Sequence, residues 1–395
     1  MKAGSNFLNP LFPPRMPVSP FDYQPATRII SGTDSLEKVG ALARDLGAHR
    51  VLLVTDRGIA SAGHPSRAVA SLEAAGIQVR VFEGVRENPT TADVDCCVEA
   101  ARALDADFLV GLGGGSSMDT AKGANFLLTN GGRIHDYWGV GKATKPMLPL
   151  IAIPTTAGTG SECQSFALIS DADTHQKMAC GDPKAAARVA ILDPLLTLSQ
   201  PLRVTACTGV DALAHALETA VTKKRTVLSA MFSREAFRLC MQGLEQVLDQ
   251  PEDLTARAAM QIGAAFAGTA IENSMLGAAH SAANPLTAHL GMVHGHAVGI
   301  MLPAVIRFNA ADPRVRAMYM EHAAAAGIRS IEELVERVEE VLDAAGMRVE
   351  RRKYTLEPSL VPVLAEEAAR QWTATFNPRP VGPADFAAFY QEVFA

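Results

Sequence analysis

Two side chains that could share a metal ion lie four residues apart in the segment 208–218. If that segment is a helix, Asp211 and His215 lie on one face, so that a carboxylate and an imidazole converge on one point. The same spacing also occurs in ordinary helix-surface pairs, so this pair alone does not define a site. Two further imidazoles, His280 and His294, occur later in small and apolar sequence. One carboxylate with three imidazoles suits a divalent transition ion such as Fe(II) or Zn(II).

A second chemical signal is a glycine-rich turn at residues 111–117. Such a turn before a helix exposes backbone N–H groups that can hold a diphosphate, although it is as often purely structural. Asp56 ends another apolar run, where a carboxylate can bind a ribose and repel a 2′-phosphate, or simply cap a helix. Asn88 follows a further run and could belong to a plain turn. The segment 154–162, rich in Thr, Gly and Ser, permits close approach of a nicotinamide and a pyrophosphate.

Strand and helix patterns alternate through the first half of the chain. Strands are predicted at residues 50–55, 79–82, 107–112 and 147–153, and helices at residues 65–75, 91–104 and 116–129. This alternation predicts a doubly wound α/β domain that binds its ligand at the carboxyl ends of the strands. The glycine-rich turn and Asp56 lie at those ends.

The second half of the chain is predicted to be helical. Strand signals nearly vanish after residue 201, and helices are predicted at residues 210–222, 227–248, 254–275, 298–309, 313–326, 331–345, 357–371 and 384–394. We expect an N-terminal arm at residues 1–20, an α/β dinucleotide-binding domain at residues 21–197 and an all-helical metal-binding domain at residues 198–395. The candidate metal ligands all belong to the helical part.

Length, composition and charge narrow the class of protein. A chain of 395 residues with 48% hydrophobic and 20% charged residues is typical of a soluble protein of about two domains. The net charge of −6 argues against nucleic acid or an anionic membrane as a general partner. No apolar run reaches the ~18 residues that a membrane crossing needs. Six cysteines without CxxC spacing suit a reducing compartment, so we expect a cytoplasmic protein.

Five motifs in order resemble the iron-containing (group III) alcohol dehydrogenase family. They are the turn at residues 113–116 with Asp119 and Lys122, the segment 154–162, Asp211 with His215, His280, and His294 with Gly295. The resemblance extends over residues 23–379. It implies an α/β nucleotide-binding domain and an all-helical domain, in the architecture shared with dehydroquinate synthase, with a cleft between them. It also implies hydride transfer between NAD(H) and a small alcohol or aldehyde, in a homodimer or larger homo-oligomer.

The resemblance implies roles for individual residues. Asp211, His215, His280 and His294 match the family's metal ligands, with Fe(II) expected and Zn(II) as the alternative. The implied cofactor contacts are Asp56, Asn88, Gly114, Gly115, Ser116, Asp119, Thr155, Thr156, Thr159, Leu168 and Lys177. Asp56 fits members of the family that prefer NAD(H) to NADP(H).

One departure from the family concerns the proton path. Four residues after His280 the family often has a second histidine followed by proline, whereas this chain has Asn284 and Pro285. Asparagine is neither an acid nor a base near neutral pH. His289, His296 or water relayed through the ribose hydroxyls would then carry the proton, although for both histidines the sequence favours a packed or surface position.

Other functions are compatible with parts of the sequence. Within the superfamily, maleylacetate reductase-like enzymes work without metal, and dehydroquinate synthase-like enzymes use NAD in a cyclisation. The presence of Asp211 argues against the first, because those enzymes tend to lose this carboxylate. A degenerate, non-catalytic NAD- or metal-binding protein is a third possibility, and Asn284 is the only feature that favours it.

Overall fold

The computed structural model of the protein describes residues 20–174 and 176–395. The arm expected at residues 1–20 therefore lies outside the described residues, apart from Pro20.

Two β-sheets are formed by the first half of the chain. Their strands are β1 (Arg28–Ser31), β2 (Arg50–Val54), β3 (Gln78–Phe82), β4 (Phe108–Gly113), β5 (Gly139–Val140), β6 (Leu150–Pro154), β7 (Phe166–Ser170), β8 (Lys177–Gly181) and β9 (Val189–Leu192). The larger sheet has the order β1-β9-β6-β4-β2-β3, and its neighbouring strands run parallel. The smaller sheet has the order β5-β8-β7.

Helices cover the larger sheet and form the whole second half. Those of the first half are α1 (Val39–Asp45), α2 (Arg57–Ser61), α3 (His64–Ala74), α4 (Thr91–Leu104) and α5 (Gly115–Asn130). Those of the second half are α6 (Leu202–Val221), α7 (Val227–Asp249), α8 (Leu254–Glu272), α9 (Ala278–Leu290), α10 (His294–Ala310), α11 (Pro313–Ala323), α12 (Ile331–Ala344), α13 (Met347–Arg351), α14 (Val361–Arg370) and α15 (Pro383–Phe394).

The central strands β2, β4, β6 and β9 are buried on both faces because almost all of their residues are apolar. Side chains alternate along β2, so that Leu52 packs with α4 and α5 on one face and Leu53 packs with α1 and α3 on the other. The helical half has a separate core, to which α6 contributes most of its length. Over the described residues, no helix has the length and apolar character that a membrane crossing requires.

The fold class predicted from the sequence is confirmed: a parallel α/β half precedes an all-helical half. The predicted end of the strand series at residues 147–153 is wrong, because β9 joins the same sheet and β7 and β8 form a second one. Helix α9 was not predicted, and α6 and α10 begin earlier than expected. These stretches are so rich in small residues that no apolar face stands out against a polar one.

A buried lysine ties helix α5 to the chain that leaves β6. Lys122 is fully buried, and its Nζ donates hydrogen bonds to the backbone oxygen of Ser161 at 2.6 Å, to the Ser161 hydroxyl at 2.9 Å and to the Phe166 oxygen at 3.1 Å. The Ser161 hydroxyl donates to Asp119 at 2.8 Å, so the hydroxyl links a buried cation and a buried carboxylate. This network fixes the helix that begins at the glycine-rich turn relative to the segment 154–162.

The substitution Lys122→Ala should destabilise the protein, because it leaves the Asp119 carboxylate buried without its compensating cation. We expect the free energy of unfolding to fall by about 3–5 kcal/mol, as for other broken buried pairs. Denaturation in urea followed by circular dichroism measures this. Lys145 is exposed, and Lys145→Ala should change stability by less than about 0.5 kcal/mol. Equal effects of the two substitutions would show that the buried network is not a major source of stability.

Candidate functional site

A carboxylate and two imidazoles converge between helices α6 and α9. Asp211 and His215 lie one turn apart on α6, and His280 lies in the first turn of α9. Asp211 Oδ1 is 3.6 Å from His215 Nε2 and 3.4 Å from His280 Nε2. All three residues are buried, and one potential ligand atom from each lies within 4.8 Å of the others. The geometry is that of side chains arranged around a common point.

His294 completes what we call the Asp–His cluster: Asp211, His215, His280 and His294. It is the first residue of α10, and its ring centroid lies 5.4 Å from that of His280. Its neighbour Gly295 allows α10 to begin directly against α6. A Cβ atom at Gly295 would lie 2.1 Å from the Cys207 backbone oxygen, so any larger residue would push the two helices apart. His294 is not one of the three residues whose ligand atoms lie within 4.8 Å of one another, but its ring lies next to that of His280.

Hydrogen bonds hold two of the imidazoles with Nε2 facing the cluster. His280 Nδ1 donates to Glu218 Oε2, and the other carboxylate oxygen of Glu218 accepts from the backbone N–H of Ala279 at 2.7 Å. His215 Nδ1 lies 3.2 Å from the Gly158 carbonyl oxygen, to which it can only donate. With Nδ1 as the donor in each case, it is Nε2 that faces the cluster, and in the neutral imidazole this atom carries the lone pair that can bind a metal ion. Partners of this kind orient histidine ligands in metal sites.

The unpaired atoms of the cluster fit a bound cation. Asp211 Oδ1 and His280 Nε2 are buried, and neither has a hydrogen-bond partner among the described residues. Buried polar atoms without partners are costly, and several acceptors that face one another are costlier still. A divalent ion satisfies all of them at once, and one oxygen with imidazole nitrogens is a donor set that suits Fe(II) or Zn(II).

The electrostatics of the cluster follow from burial and from the carboxylates. Although burial opposes ionisation, the surrounding imidazoles hold the pKa of Asp211 below its usual range. Burial lowers the pKa of His215, and it lowers that of His294 to about 3. Burial also acts to lower the pKa of His280, but the Glu218 and Asp211 carboxylates outweigh it and raise this pKa to about 9. The cluster therefore holds an anionic carboxylate beside neutral imidazoles at His215 and His294, the forms that bind metal, whereas His280 is protonated near neutral pH and has to release its Nε2 proton to bind a metal ion.

The glycine-rich turn lies where β4 meets α5. Gly113 has a φ of 151°, and a Cβ atom there would lie 2.3 Å from the Ser117 hydroxyl, so the turn requires glycine. The Ser117 hydroxyl, in the first turn of α5, and the Thr55 hydroxyl, directly after β2, are buried without hydrogen-bond partners among the described residues. Gly114 caps α5, and Gly115 and Ser116 form its first turn. This arrangement presents backbone N–H groups and unpaired hydroxyls, as a nucleotide phosphate site requires.

Asp56 lies beside this turn. Its Oδ1 caps α2 by accepting from the backbone N–H groups of Gly58 at 2.8 Å and Ile59 at 3.0 Å. Its Oδ2 faces the turn, since a Cβ atom at Gly113 would lie 3.5 Å from it. Asp56 therefore caps a helix with one oxygen, and a contact of its second oxygen with a ribose stays a prediction.

Residues 155–160, which we call the threonine loop, lie between the turn and the Asp–His cluster. The backbone N–H of Thr155 donates to the Gly113 oxygen at 2.9 Å. Thr156 and Thr159 pack against the turn, and a Cβ atom at Gly115 would lie 2.8 Å from the Thr159 methyl group. The opposite side of the loop supplies the Gly158 oxygen that receives the His215 hydrogen bond. One short segment thus contacts both candidate sites.

The remaining candidate residues lie around this region. Asn88 is exposed after β3 and has a left-handed φ of 52°. Lys177 opens β8 within electrostatic range of both Asp119 and Asp211, and Leu168 is half-exposed on the neighbouring strand β7. Asp119 is instead buried beneath the turn in the network of Lys122, so the structure places it behind the site.

Neither histidine considered for the proton path is hydrogen-bonded to the cluster. His289 Nε2 pairs with Glu367 at the surface, and His296 Nε2 donates to the Met347 oxygen. Asn284 donates to the side-chain oxygen of Gln371 at 3.1 Å. Both histidines are thus engaged elsewhere in the fold, at the surface and in the core.

Sequence reasoning missed Glu218 and the Gly158 carbonyl. Glu218 could have been found, because it lies three residues after His215 and therefore on the same face of the helix. The Gly158 carbonyl is a backbone atom from the other half of the chain, and no residue pattern reveals it.

Comparisons with known proteins agree for both halves of the chain. A family model described as iron-containing alcohol dehydrogenase matches residues 26–194, and the C-terminal model of the same family matches residues 205–394. An NAD-dependent methanol dehydrogenase of Bacillus methanolicus is 37% identical over 71% of this chain and 74% of its own. A 1,3-propanediol dehydrogenase of Klebsiella pneumoniae is 30% identical over 95% of this chain and 99% of its own. The crystal structure of a 1,3-propanediol oxidoreductase superposes with a TM-score of 0.90 and 31% identity, covering 95% of this chain and 100% of that one.

The orienting role of Glu218 can be tested by Glu218→Gln. An amide accepts the His280 hydrogen bond less well than a carboxylate and cannot reinforce the imidazole. We expect the affinity for Zn²⁺, measured by competition with a chromogenic chelator, to fall about 10- to 100-fold. Glu99 is exposed on α4, and Glu99→Gln should leave the affinity unchanged. An unchanged affinity in Glu218→Gln would mean that His280 needs no such partner.

Proposed function

This chain belongs to the iron-containing alcohol dehydrogenase family and transfers a hydride between a nicotinamide cofactor and an alcohol or aldehyde; we propose that the Asp–His cluster is its metal site. The glycine-rich turn, the threonine loop and Asp56 hold the dinucleotide in this proposal. Its substrates are small alcohols and aldehydes, in keeping with relatives named for methanol and 1,3-propanediol.

One observation carries the proposal: the two unpaired, buried ligand atoms of Asp211 and His280 lie beside a loop that also contacts the glycine-rich turn. A metal-free reductase would have no need of a carboxylate and two imidazoles whose ligand atoms converge on one buried point. Fe(II) is the proposed metal and Zn(II) the alternative, because the donor set accepts both.

The residues of the chain position and shield the reacting groups. When bound, the metal ion supplies Lewis acidity toward the substrate oxygen, and the nicotinamide gives or accepts the hydride. Asp211 supplies the negative charge of the site, and Glu218 and the Gly158 carbonyl keep the imidazoles of His280 and His215 in one tautomer. The buried surroundings of the cluster exclude water, which strengthens its electrostatic interactions.

The proton path uses water in this proposal. Asn284 cannot exchange a proton near neutral pH, and its amide is bound to Gln371. His289 is paired at the surface, and His296 is held by the Met347 carbonyl. The sequence suggested three proton carriers, namely His289, His296 and water relayed through the ribose hydroxyls. Because both histidines are hydrogen-bonded elsewhere, we assign the proton transfer to water.

NAD(H) is the proposed cofactor in preference to NADP(H). Support comes from the orientation of Asp56, whose Oδ2 faces the turn while Oδ1 is held by the start of α2. A carboxylate in this position accepts hydrogen bonds from ribose hydroxyls and repels a 2′-phosphate. A relative named as NAD-dependent is consistent with this preference.

We also propose the domain organisation, assembly and location expected from the sequence. The division at residues 197 and 198 falls between the last strand, β9, and the first helix of the second half, α6. A homodimer or larger assembly is supported by β1, an edge strand with mostly exposed residues that a second copy could cover. A cytoplasmic location is supported by the free thiols of all the cysteines.

The cofactor preference is testable with Asp56→Ser. Serine can still cap α2 but no longer repels a phosphate, so we expect the ratio of kcat/KM for NADPH to that for NADH to rise at least about tenfold, equivalent to about 1.4 kcal/mol. The measurement is the oxidation of each cofactor with one aldehyde. Asp95→Ser, at an exposed position on α4, is the matched control and should keep the ratio of the unsubstituted protein. A constant ratio in Asp56→Ser would remove this residue from cofactor selection.

The metal site is testable with His280→Ala. We expect loss of bound metal, measured by elemental analysis, together with loss of activity over a panel of short alcohols and aldehydes. Binding of NADH, followed by its fluorescence, should remain largely intact, because His280 lies outside the turn and the threonine loop. His289→Ala removes a surface imidazole and should keep both metal and activity. An active enzyme without metal would refute the site.

A further inference from the structure

The threonine loop packs its backbone directly against two helices of the second half of the chain. A Cβ atom at Gly158 would lie 2.4 Å from Thr208 Cβ and 2.6 Å from the Thr208 oxygen, both on α6. A Cβ atom at Gly160 would lie 2.6 Å from the Gly268 Cα on α8. The loop cannot shift toward these helices, and a shift away from them would carry the Gly158 oxygen away from His215. The position of the loop and the orientation of this imidazole are therefore linked.

The loop is short of hydrogen bonds of its own. The backbone N–H groups of residues 156–160 have no acceptor among residues 20–174 and 176–395. The bonds that hold the loop come from Thr155, from the Thr159 side chain and oxygen, and from the Gly158 and Gly160 oxygens. A backbone segment with two glycines and few hydrogen bonds loses much conformational entropy when it is held in one place.

Each proposed ligand restrains a different side of this loop. A dinucleotide on the glycine-rich turn meets Thr156, Thr159 and the unpaired N–H groups. A metal ion fixes His215, and His215 in turn holds the Gly158 carbonyl through its Nδ1 hydrogen bond. The ligand that binds first bears most of the cost of ordering the loop, and the second ligand meets a segment that is already in place. Shared ordering of this kind produces positive cooperativity without a large structural change.

We propose that the threonine loop couples the two sites, so that the dinucleotide raises the affinity of the Asp–His cluster for its metal ion and the metal raises the affinity for the dinucleotide. Gly158 is the positioning residue of this coupling, through its carbonyl oxygen. The inference rests on the proposed function, since it requires both ligands to bind where that function places them.

The coupling is measured first in the unsubstituted protein. Zn²⁺ affinity is determined by chelator competition with and without saturating NADH, and NADH affinity by fluorescence with and without Zn²⁺. We expect each ligand to tighten the other by about 10-fold, and the two factors must be equal because binding linkage is reciprocal. If the affinity for each ligand is the same with and without the other ligand, the coupling is overturned.

Two substitutions then locate the coupling in the loop. We call the ratio of the Zn²⁺ affinities with and without NADH the coupling factor. Gly158→Ala forces the loop away from Thr208, so it should reduce the Zn²⁺ affinity and bring the coupling factor close to one. Thr159→Ala adds no atoms and trims the contact with Gly115, so it is the variant to use if Gly158→Ala folds poorly. It should reduce the coupling factor while the Zn²⁺ affinity without NADH stays within about twofold of the unsubstituted protein. Gly382→Ala, where a Cβ atom meets nothing within 4 Å, is the control and should keep full coupling.

The outcomes separate the coupling from the function on which it rests. Failure of Zn²⁺ or NADH to bind the unsubstituted protein at all would overturn the proposed function and the coupling together. Binding of both with a coupling factor of one would overturn the coupling and leave the function standing. Full coupling in both Gly158→Ala and Thr159→Ala would show that another part of the protein links the sites.

Discussion

The structure depends on a carboxylate buried among imidazoles. Burial alone would neutralise Asp211, yet the imidazoles around it keep it ionised, and its free oxygen faces His215 and His280 at 3.6 and 3.4 Å. An anion in this setting is stable only when positive charge compensates it. This constraint explains why α6 is buried for most of its length while carrying polar side chains on one face. It also explains why that face meets the first turns of two other helices.

Close backbone contacts make this convergence possible. Gly295 brings the start of α10 against α6, and Gly158 and Gly160 bring the chain from β6 against α6 and α8. At each of these places a single methyl group would overlap backbone atoms of the neighbouring element. The halves of the protein therefore meet through main-chain surfaces, which transmit small displacements more directly than flexible side chains do.

Much of the fold could be predicted from the sequence, because its strongest signals are local. The aliphatic runs that became β2 and β4 were found within one or two residues of their ends, and the loss of strand signals marked the change to helices. Four-residue β9 was too short to stand out, and α9 was hidden by Pro285 and by a composition of small residues. The structure brings together the four residues of the Asp–His cluster, and their role as metal ligands remains a prediction. The position of Glu218 could have been predicted from the helical period, because it lies on the same face of α6 as His215. The position of the Gly158 carbonyl could not, because it depends on packing between segments that are distant in the sequence.

The placement of Asp211, His215 and Glu218 on one helix has a consequence for the irreversible inactivation of the protein. The three side chains keep their mutual geometry only while the middle of α6 stays wound, and that stretch lies in the centre of the helical core. Motion at the chain ends leaves these three side chains in place, whereas opening of the core separates them in a single event. Loss of activity on storage or heating should thus follow unfolding of the core. Its half-life is then set by the unfolding barrier, and little activity is lost before unfolding.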